Sequence, residues 1–463
     1  MSNPETRFSI ERANAEIRAC AAAVRRTPYA LRYHIAPPCG WMNDPNGLCR
    51  SGGRYHVFYQ HYPYAPQWGP MHWGHASSAD LAHWRHEPVA LAPDQPYEAG
   101  CFSGSGADDS GVLTLVYTAH DDARAIKETQ CVARSFDGGR TFVKSANNPV
   151  IPAPPEGCET DFRDPKIWRE GDRWLLVVGT ARGGRGCAAL YESADIEHWQ
   201  FKGILCESDG GLGSMWECPS FCRVDGQDLL LISPIGMEGH KNIALFGAFD
   251  PETGRMAVDH WQEIDLGGDF YAAQVLDDGG RTLMFGWMDM WNREHPTEAD
   301  GWAGALTIPR ELSVREGRLL QNPPRELEAL RGETLADSAD SAALRDVQSD
   351  GYELRVELDA PEGALVFSDA RGELLRVELR DGEAAFAMPG RPAVCAPLAL
   401  PFDGAEIRAF IDRCSIECFV NGGEACYTCR VYPQDHIVAC AASGPVRRVR
   451  AWALGDAFEE APC

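Results

Sequence analysis

Short apolar runs return along this chain at a nearly constant interval, and that recurrence limits its fold more than any other feature. The runs are YHVFYQ from Tyr55, LTLVYTA from Leu113, WLLVVGTA from Trp174, LLLISPI from Leu229 and TLMFGWM from Thr282. A second segment follows in most units: SSADLAHW ending at Trp84, SFDGGRTF ending at Phe142, SADIEHW ending at Trp199, and a looser DPETGRMAVDHW ending at Trp261. The spacing is about 55–62 residues from unit to unit. Several short strands and a turn signal per unit, at a fixed period, are how a β-propeller is written in sequence. Five runs predict five blades over residues 30–320. The alternative is an irregular β-rich domain whose spacing is accidental.

The texture changes after LLQNPPRELEALRGE. Pro323, Pro324 and the charged run that follows predict a linker over 321–349 with a short helix. Beyond residue 350 apolar residues alternate with period two, as at Tyr352, Leu354, Val356 and Leu358, and VNGG at Val420–Gly423 is a hairpin turn signal. Residues 350–463 are therefore expected to form a β-sandwich. Residues 1–29 form a separate N-terminal segment. Within it Ile10, Ile17, Ala21 and Val24 share one helical face, which predicts an amphipathic helix over about 9–26. The fold class expected is all-β, a five-bladed β-propeller followed by a C-terminal β-sandwich, with a short N-terminal helix.

With 463 residues the chain is long enough for two domains. Its 68 acidic against 43 basic residues give a formal charge of −25. Such a field repels phosphate backbones and anionic lipid, so neither nucleic acid nor membrane is expected as a partner. No apolar run approaches the roughly 18 residues of a membrane span. Acids and arginines interrupt the N-terminal segment, which does not resemble a signal peptide. The 17 cysteines then read as reduced thiols of a cytoplasmic protein. Cys426 and Cys429 form a C-x-x-C without a second pair at zinc spacing.

Three acids stand out by context. Asp44 lies in GWMNDPNG at the start of the first unit, Asp164 in FRDPKIW before the third run, and Glu217 in MWECPSF before the fourth. Each has a proline one or two places later, which restricts the backbone and fixes where the carboxylate points. GWMNDPNG reads as a stiff turn. Singly, each acid has a bland explanation: an Asx-turn, an arginine partner, a solvated rim charge. In one register of three units they would converge at the mouth of a propeller channel.

Together WMNDPNG, RDP and ECP resemble the signature set of the β-fructofuranosidases of glycoside hydrolase family 32. The segments GRYHVFYQHYPYAPQWGPMHWGHASSADLAHW, FSGS, GDFYAAQ, PREL and FIDRCSIECFVNGGE resemble family segments in the expected order, from about residue 30 to the C-terminus. The similarity is greatest to bacterial sucrose and sucrose-6-phosphate hydrolases. It implies a five-bladed propeller plus a β-sandwich, in agreement with the periodicity.

The resemblance also implies roles. Asp44 is the nucleophile at the anomeric carbon of a fructosyl unit. Glu217 protonates the leaving oxygen and then acts as base on a water. Retaining glycosidases hold such a pair about 5–5.5 Å apart. Asp164, with Arg163 beside it, grips ring hydroxyls and stabilises positive charge. Trp41, Met42, Asn43, Gln60, Trp68, Phe102 and Ser103 match fructose-pocket positions, and Trp287 or Trp291 completes the wall. The expected partner is a small sugar, sucrose or sucrose 6-phosphate; self-association stays open. No cofactor is implied, and the spacing of His61, His72 and His75 does not match a usual metal site. Alternatives on the same architecture are an inverting arabinan or xylan hydrolase, a fructosyltransferase or fructan hydrolase, and a non-catalytic sugar-binding protein. If the substrate carries a phosphate, Arg182 and Arg185 in RGGRG, with Gly183, Gly184 and Gly186, and His240 with Lys241, are the candidates to hold it.

Overall fold

The computed structural model describes residues 8–291 and 293–458. Strand dominates, and α-helix is confined to Ile10–Val24 among the described residues. That helix starts where Ser9 accepts the Arg12 N–H at 3.2 Å, a side-chain N-cap. Five sheets then follow in chain order, and in four of them the opening strand lies at the edge. The opening strands are Gly40–Ser51, Gly100–Asp109, Phe162–Glu170, Met215–Val224 and Tyr271–Asp277. In the first sheet the short strand Trp302–Ala303 lies parallel beside Gly40–Trp41.

The apolar runs that define the period are the second strand of each sheet, buried on both faces. In WLLVVGT, Leu175 and Val177 pack against Leu230 and Ile232 of the fourth sheet. Their neighbours Leu176 and Val178 pack against Val116 and Val132 of the second. Leu229 and Leu231 face Val275 and Met284 of the fifth sheet. Leu276, Leu283 and Phe285 of the fifth face Tyr55, Val57 and Tyr59 of the first. A strand covered on both sides has no polar face to show, which is why these runs read as continuous rather than alternating.

The second repeated segment is one physical device used several times. Ser78 Oγ accepts the N–H groups of Asp80 and Leu81, and Asp80 Oδ1 those of Ala82 and His83. Ser193 and Asp195 do the same for Asp195, Ile196, Glu197 and His198. Trp84 and Trp199 each donate their indole N–H to a carbonyl three residues back at 3.1 Å. Leu81 and Ile196 both sit at φ 64°. The repeat seen in sequence is thus a serine–aspartate turn leading into the fourth strand.

Each opening strand has one extra residue at matching positions. The register slips between Met42 and Pro45, Phe102 and Gly104, Arg163 and Lys166, Glu217 and Ser220, and Tyr271 and Gln274. These are β-bulges. A proline, which cannot donate to a ladder, is tolerated at a bulge on an edge strand, and Pro45, Pro165 and Pro219 sit there. The stiff turn expected at GWMNDPNG is therefore a bulged stretch of one continuous strand.

Two further sheets, of six and five strands, share one apolar core that includes Leu354, Val356, Leu365, Phe367, Ile407 and Ile416. The supposed linker over 321–349 is more structured than expected. Arg331–Ser338 is the edge strand of the six-stranded sheet, paired with Val446–Leu454. Its charges hid it: an edge strand half open to solvent needs few apolar residues. The helix expected there is 3₁₀, at Arg325–Leu330 and again at Ser341–Asp346.

A buried ionic group joins the two halves. Arg310, fully buried, reaches Asp265 at 2.8 Å and Glu417 at 2.7 Å. His34 bridges Glu417 at 3.0 Å and Asp412 at 2.9 Å. Burial opposes charge on His34, but its bonds to Asp412 and Glu417 hold its pKa above the ordinary value. This network absorbs PREL and FIDRCSIECF. Removing one partner of a buried pair strands the other and costs about 3–5 kcal/mol. Arg310→Met should therefore lower the urea midpoint by the equivalent of about 3–5 kcal/mol, and a shift below about 1 kcal/mol would contradict this role.

Candidate active site

The bulges bring the three acids together. Asp44 is buried and held on both oxygens: Ser103 Oγ donates to Oδ2 at 2.6 Å and Asn43 Nδ2 to Oδ1 at 3.2 Å. Asn43 is itself fixed by the Trp41 indole N–H at 2.7 Å, and Ser103 by Gln60 Nε2 at 3.1 Å. Asp164 adopts φ 66°, in the left-handed region that aspartate tolerates better than most residues. It accepts the Cys218 N–H at 2.8 Å, and its own N–H donates to Thr118 Oγ1 at 3.1 Å. Cys218 Sγ lies 3.7 Å from Asp44 and 3.6 Å from Asp164, so one thiol touches both carboxyl groups.

Glu217 sits one residue before its bulge, with its side chain 20% exposed. Arg163 Nε approaches it at 3.0 Å, and the Tyr271 hydroxyl donates to it at 2.6 Å. Arg163 is braced by Glu128 at 3.2 Å and Asp161 at 2.9 Å. Phe102, Arg163, Glu217 and Tyr271 occupy the same place relative to their bulges. Asp44, Ser103, Asp164 and Cys218 fall within the bulges. The site is thus two tiers of side chains contributed by successive sheets.

Electrostatics divides these groups. Burial pushes the Asp44 carboxyl above its ordinary range, and the Glu217 charge adds to this, while the Ser103 hydrogen bond opposes it. Burial raises Asp164 to about 8, with Arg163 opposing and the charges of Glu217 and Asp44 reinforcing. Burial first, then the charges of Asp164 and Asp44, keep the Cys218 thiol protonated.

Around the acids the expected pocket residues separate. Trp41 packs against Trp287 and Trp291, with ring centroids 5.8 and 6.0 Å away. Trp291 and Trp68 are exposed. Trp68 stands edge-on to Phe102, whose ring stacks on His120 with centroids 4.0 Å apart. Trp287 is fully buried and supports this wall from behind. Met42 is fully buried in the core between the first and fifth sheets, so its side chain presents no face to the pocket. The three histidines point elsewhere: His61 and His72 to backbone oxygens at 2.8 Å, and His75 to His56 at 3.0 Å. Among the described residues no group of three or more metal-ligating side chains is arranged to hold an ion.

Tyr271, Glu128 and Cys218 escaped the sequence reading. Tyr271 lies in GDFYAAQ and Cys218 in ECP, segments singled out as whole motifs. Glu128 carries no motif; only the fold brings it under Arg163.

Residues 34–323 match the glycosyl hydrolases family 32 N-terminal domain, and residues 369–453 match the family 32 C-terminal domain. The chain belongs to glycoside hydrolase family 32. This family 32 chain is 40% identical to the sucrose-6-phosphate hydrolase of Escherichia coli, over 89% of its own length and 91% of the relative's. It is 39% identical to the raffinose invertase of Escherichia coli, over 87% and 89%. Its structure resembles a Bombyx mori GH32 beta-fructofuranosidase with a TM-score of 0.87 and 33% identity, covering 97% of this chain and 99% of that one. That protein has also been solved, as a mutant, in complex with sucrose.

A raised carboxyl pKa has a thermodynamic sign. The folded state keeps a proton on Asp164 that the unfolded chain releases near pH 4, so stability falls as pH rises from about 4 to about 8. Asp164→Asn keeps the acceptor for Cys218 and removes that cost. The variant should lose activity yet melt higher at pH 8, by at least the roughly 2–4 °C that about 1 kcal/mol produces in a large domain. The gain should vanish near pH 4. A gain independent of pH, measured by thermal scans across that range, would refute the burial account.

Proposed function

We propose that this chain is a retaining β-fructofuranosidase that hydrolyses terminal β-D-fructofuranosides of the sucrose type through a covalent fructosyl-enzyme intermediate. The observation that carries this reading is the contrast between two neighbouring carboxyl groups. Asp44 is buried and aligned by Ser103 and Asn43, as a nucleophile must be. Glu217 reaches the open side of the site and is gripped by Arg163 and Tyr271.

In the first step Asp44 attacks the anomeric carbon as the bond to the glycosidic oxygen breaks, and Glu217 gives that oxygen its proton. In the second, Glu217 takes a proton from water, whose oxygen attacks the same carbon and frees Asp44. Asp164 binds ring hydroxyls beside this carbon, and Arg163 orients Glu217. Asn43, Gln60, Ser103, Trp41, Trp68, Phe102 and Trp291 form the sugar pocket, with Trp287 behind it. Relatives named for sucrose 6-phosphate and raffinose, and the Bombyx mori enzyme solved with sucrose, support this substrate class.

The same reading takes the five sheets as blades of a five-bladed propeller over about 30–320, whose inner strands carry the site, and the two later sheets as a β-sandwich. In this reading the sandwich starts at about 331, supported by the pairing of Arg331–Ser338 with Val446–Leu454. The sixteen described cysteines are free thiols, which supports a reducing, cytoplasmic setting.

Asp44→Ala should fold normally and lose several orders of magnitude in kcat on sucrose, because the covalent route is gone. Wild-type turnover in a folded variant would remove Asp44 from the mechanism. Glu217→Gln should hydrolyse sucrose very slowly but still release the leaving group of an activated aryl fructoside in a fast first step. Equal losses on both substrates would count against the acid/base role.

A further inference from the structure

Cations of this acidic chain gather around Gly268 and Asp269. Lys241, between the second and third strands of the fourth sheet, meets Arg293 and Arg391 around the backbone of Gly268 and Asp269. Lys241 Nζ and Arg293 Nη2 both donate to the Gly268 carbonyl, at 3.1 and 3.0 Å. Arg293 also pairs with Asp269, and Arg391 Nη1 reaches the same carboxylate at 3.2 Å. Asp269 is fully buried and accepts the Arg430 N–H at 2.9 Å. Two guanidinium groups thus share one carboxylate, and the Lys241 ammonium lies on the adjoining carbonyl. The next acids are engaged elsewhere: Glu263 by His240 at 2.6 Å, with the Lys241 and Asn242 N–H groups at 3.4 Å, and Asp265 by Arg310. The Arg293 and Arg391 side chains stay 26% and 32% exposed, so the excess charge faces solvent. Burial, then the charge of Arg293, lowers the pKa of Lys241, as expected where positive charge is not fully compensated.

The cluster lies beside the site. Asp269 is two residues before Tyr271, which touches Glu217, and Arg293 is two residues after Trp291, which stacks on Trp41. Two residues of chain span at most about 7 Å. The side of Glu217 is where the leaving group must sit. By contrast, the RGGRG turn neutralises itself: Arg182 and Arg185 both pair with Glu207, and the Gly184 N–H donates to Glu159 at 2.9 Å.

We infer that Lys241, Arg293 and Arg391 bind a phosphate monoester on the leaving sugar, so that the preferred substrate is a β-fructofuranoside whose leaving group is a sugar phosphate. The inference rests on the β-fructofuranosidase reading and goes beyond it in assigning the phosphate-binding residues. A dianionic phosphate supplies the charge the cluster lacks, and each charge-assisted contact contributes a factor of about 10–150.

The test compares kcat/KM on sucrose 6-phosphate and on sucrose. The wild-type ratio should exceed about 10, and Lys241→Met and Arg391→Gln should each lower it about tenfold or more. Arg185→Ala should leave the ratio unchanged. Product inhibition gives a second measurement on the unmodified enzyme: glucose 6-phosphate should inhibit more strongly than glucose, by about tenfold or more at low salt. A wild-type ratio near one overturns the phosphate site and leaves the fructosidase. A ratio that survives both substitutions, or that falls in Arg185→Ala instead, overturns the assignment. Failure to cleave either sugar overturns the underlying fructosidase reading.

Discussion

The opening strand of each sheet has to satisfy its backbone with little or no strand beside it, and the site grows out of that requirement. Side chains from the neighbouring sheet take the free N–H groups. Asn46 accepts from Gly104 at 3.3 Å, Ser105 from Ile167 at 2.9 Å, Asp164 from Cys218 at 2.8 Å, and Ser220 from Val275 at 3.2 Å. An unpaired buried N–H costs about 1–3 kcal/mol, so these polar residues are structural before they are chemical. In the proposed function Asp164 would serve both purposes with one carboxyl group. Below it Lys166, buried on the same strand, reaches the Val275 carbonyl of the fifth sheet, and burial lowers its pKa to about 8.

Stability and chemistry therefore pull against each other at the same atoms. Burial raises the pKa of Asp44 and Asp164, and each left-handed residue in a bulge carries some strain: Asp164 at φ 66°, Cys218 at φ 50° and Ala272 at φ 55°. The two-faced apolar strands behind them supply the opposing stability. A rigid periphery with a costly centre is the usual arrangement where groups must be held ready for a transition state rather than for the resting protein.

Much of this was legible in the chain. The runs from Tyr55, Leu113, Trp174, Leu229 and Thr282 are all second strands, because continuous burial leaves a continuous apolar trace. The convergence of Asp44, Asp164 and Glu217 was legible because each stands near a proline in the same register of its unit, although that proline marks a bulge and not the stiff turn expected at GWMNDPNG. What escaped depends on distance across the fold. Glu128 supports Arg163 from another sheet, with nothing local to announce it. Met42 shares its motif with the site but alternates to the opposite face of the strand, into the core. Arg331–Ser338 looked like a linker because an edge strand can be polar. The cluster around Asp269 draws its cations from three separate segments, so sequence spacing could suggest Lys241 but not its companions.

The ionic group formed by His34, Asp265, Arg310, Asp412 and Glu417 bears on how such a molecule can be rearranged. A cut between the halves would leave Asp412 and Glu417 on the later sheets with neither His34 nor Arg310, beside an apolar surface that includes Phe410 and Phe419. The earlier half would keep a guanidinium answered by Asp265 and the Gln321 amide oxygen. Neither piece could be exchanged for an unrelated module without redesigning both sides of the seam at once. The two parts are thus matched through charge as well as through apolar packing, so a change on one side of the seam has to be answered on the other.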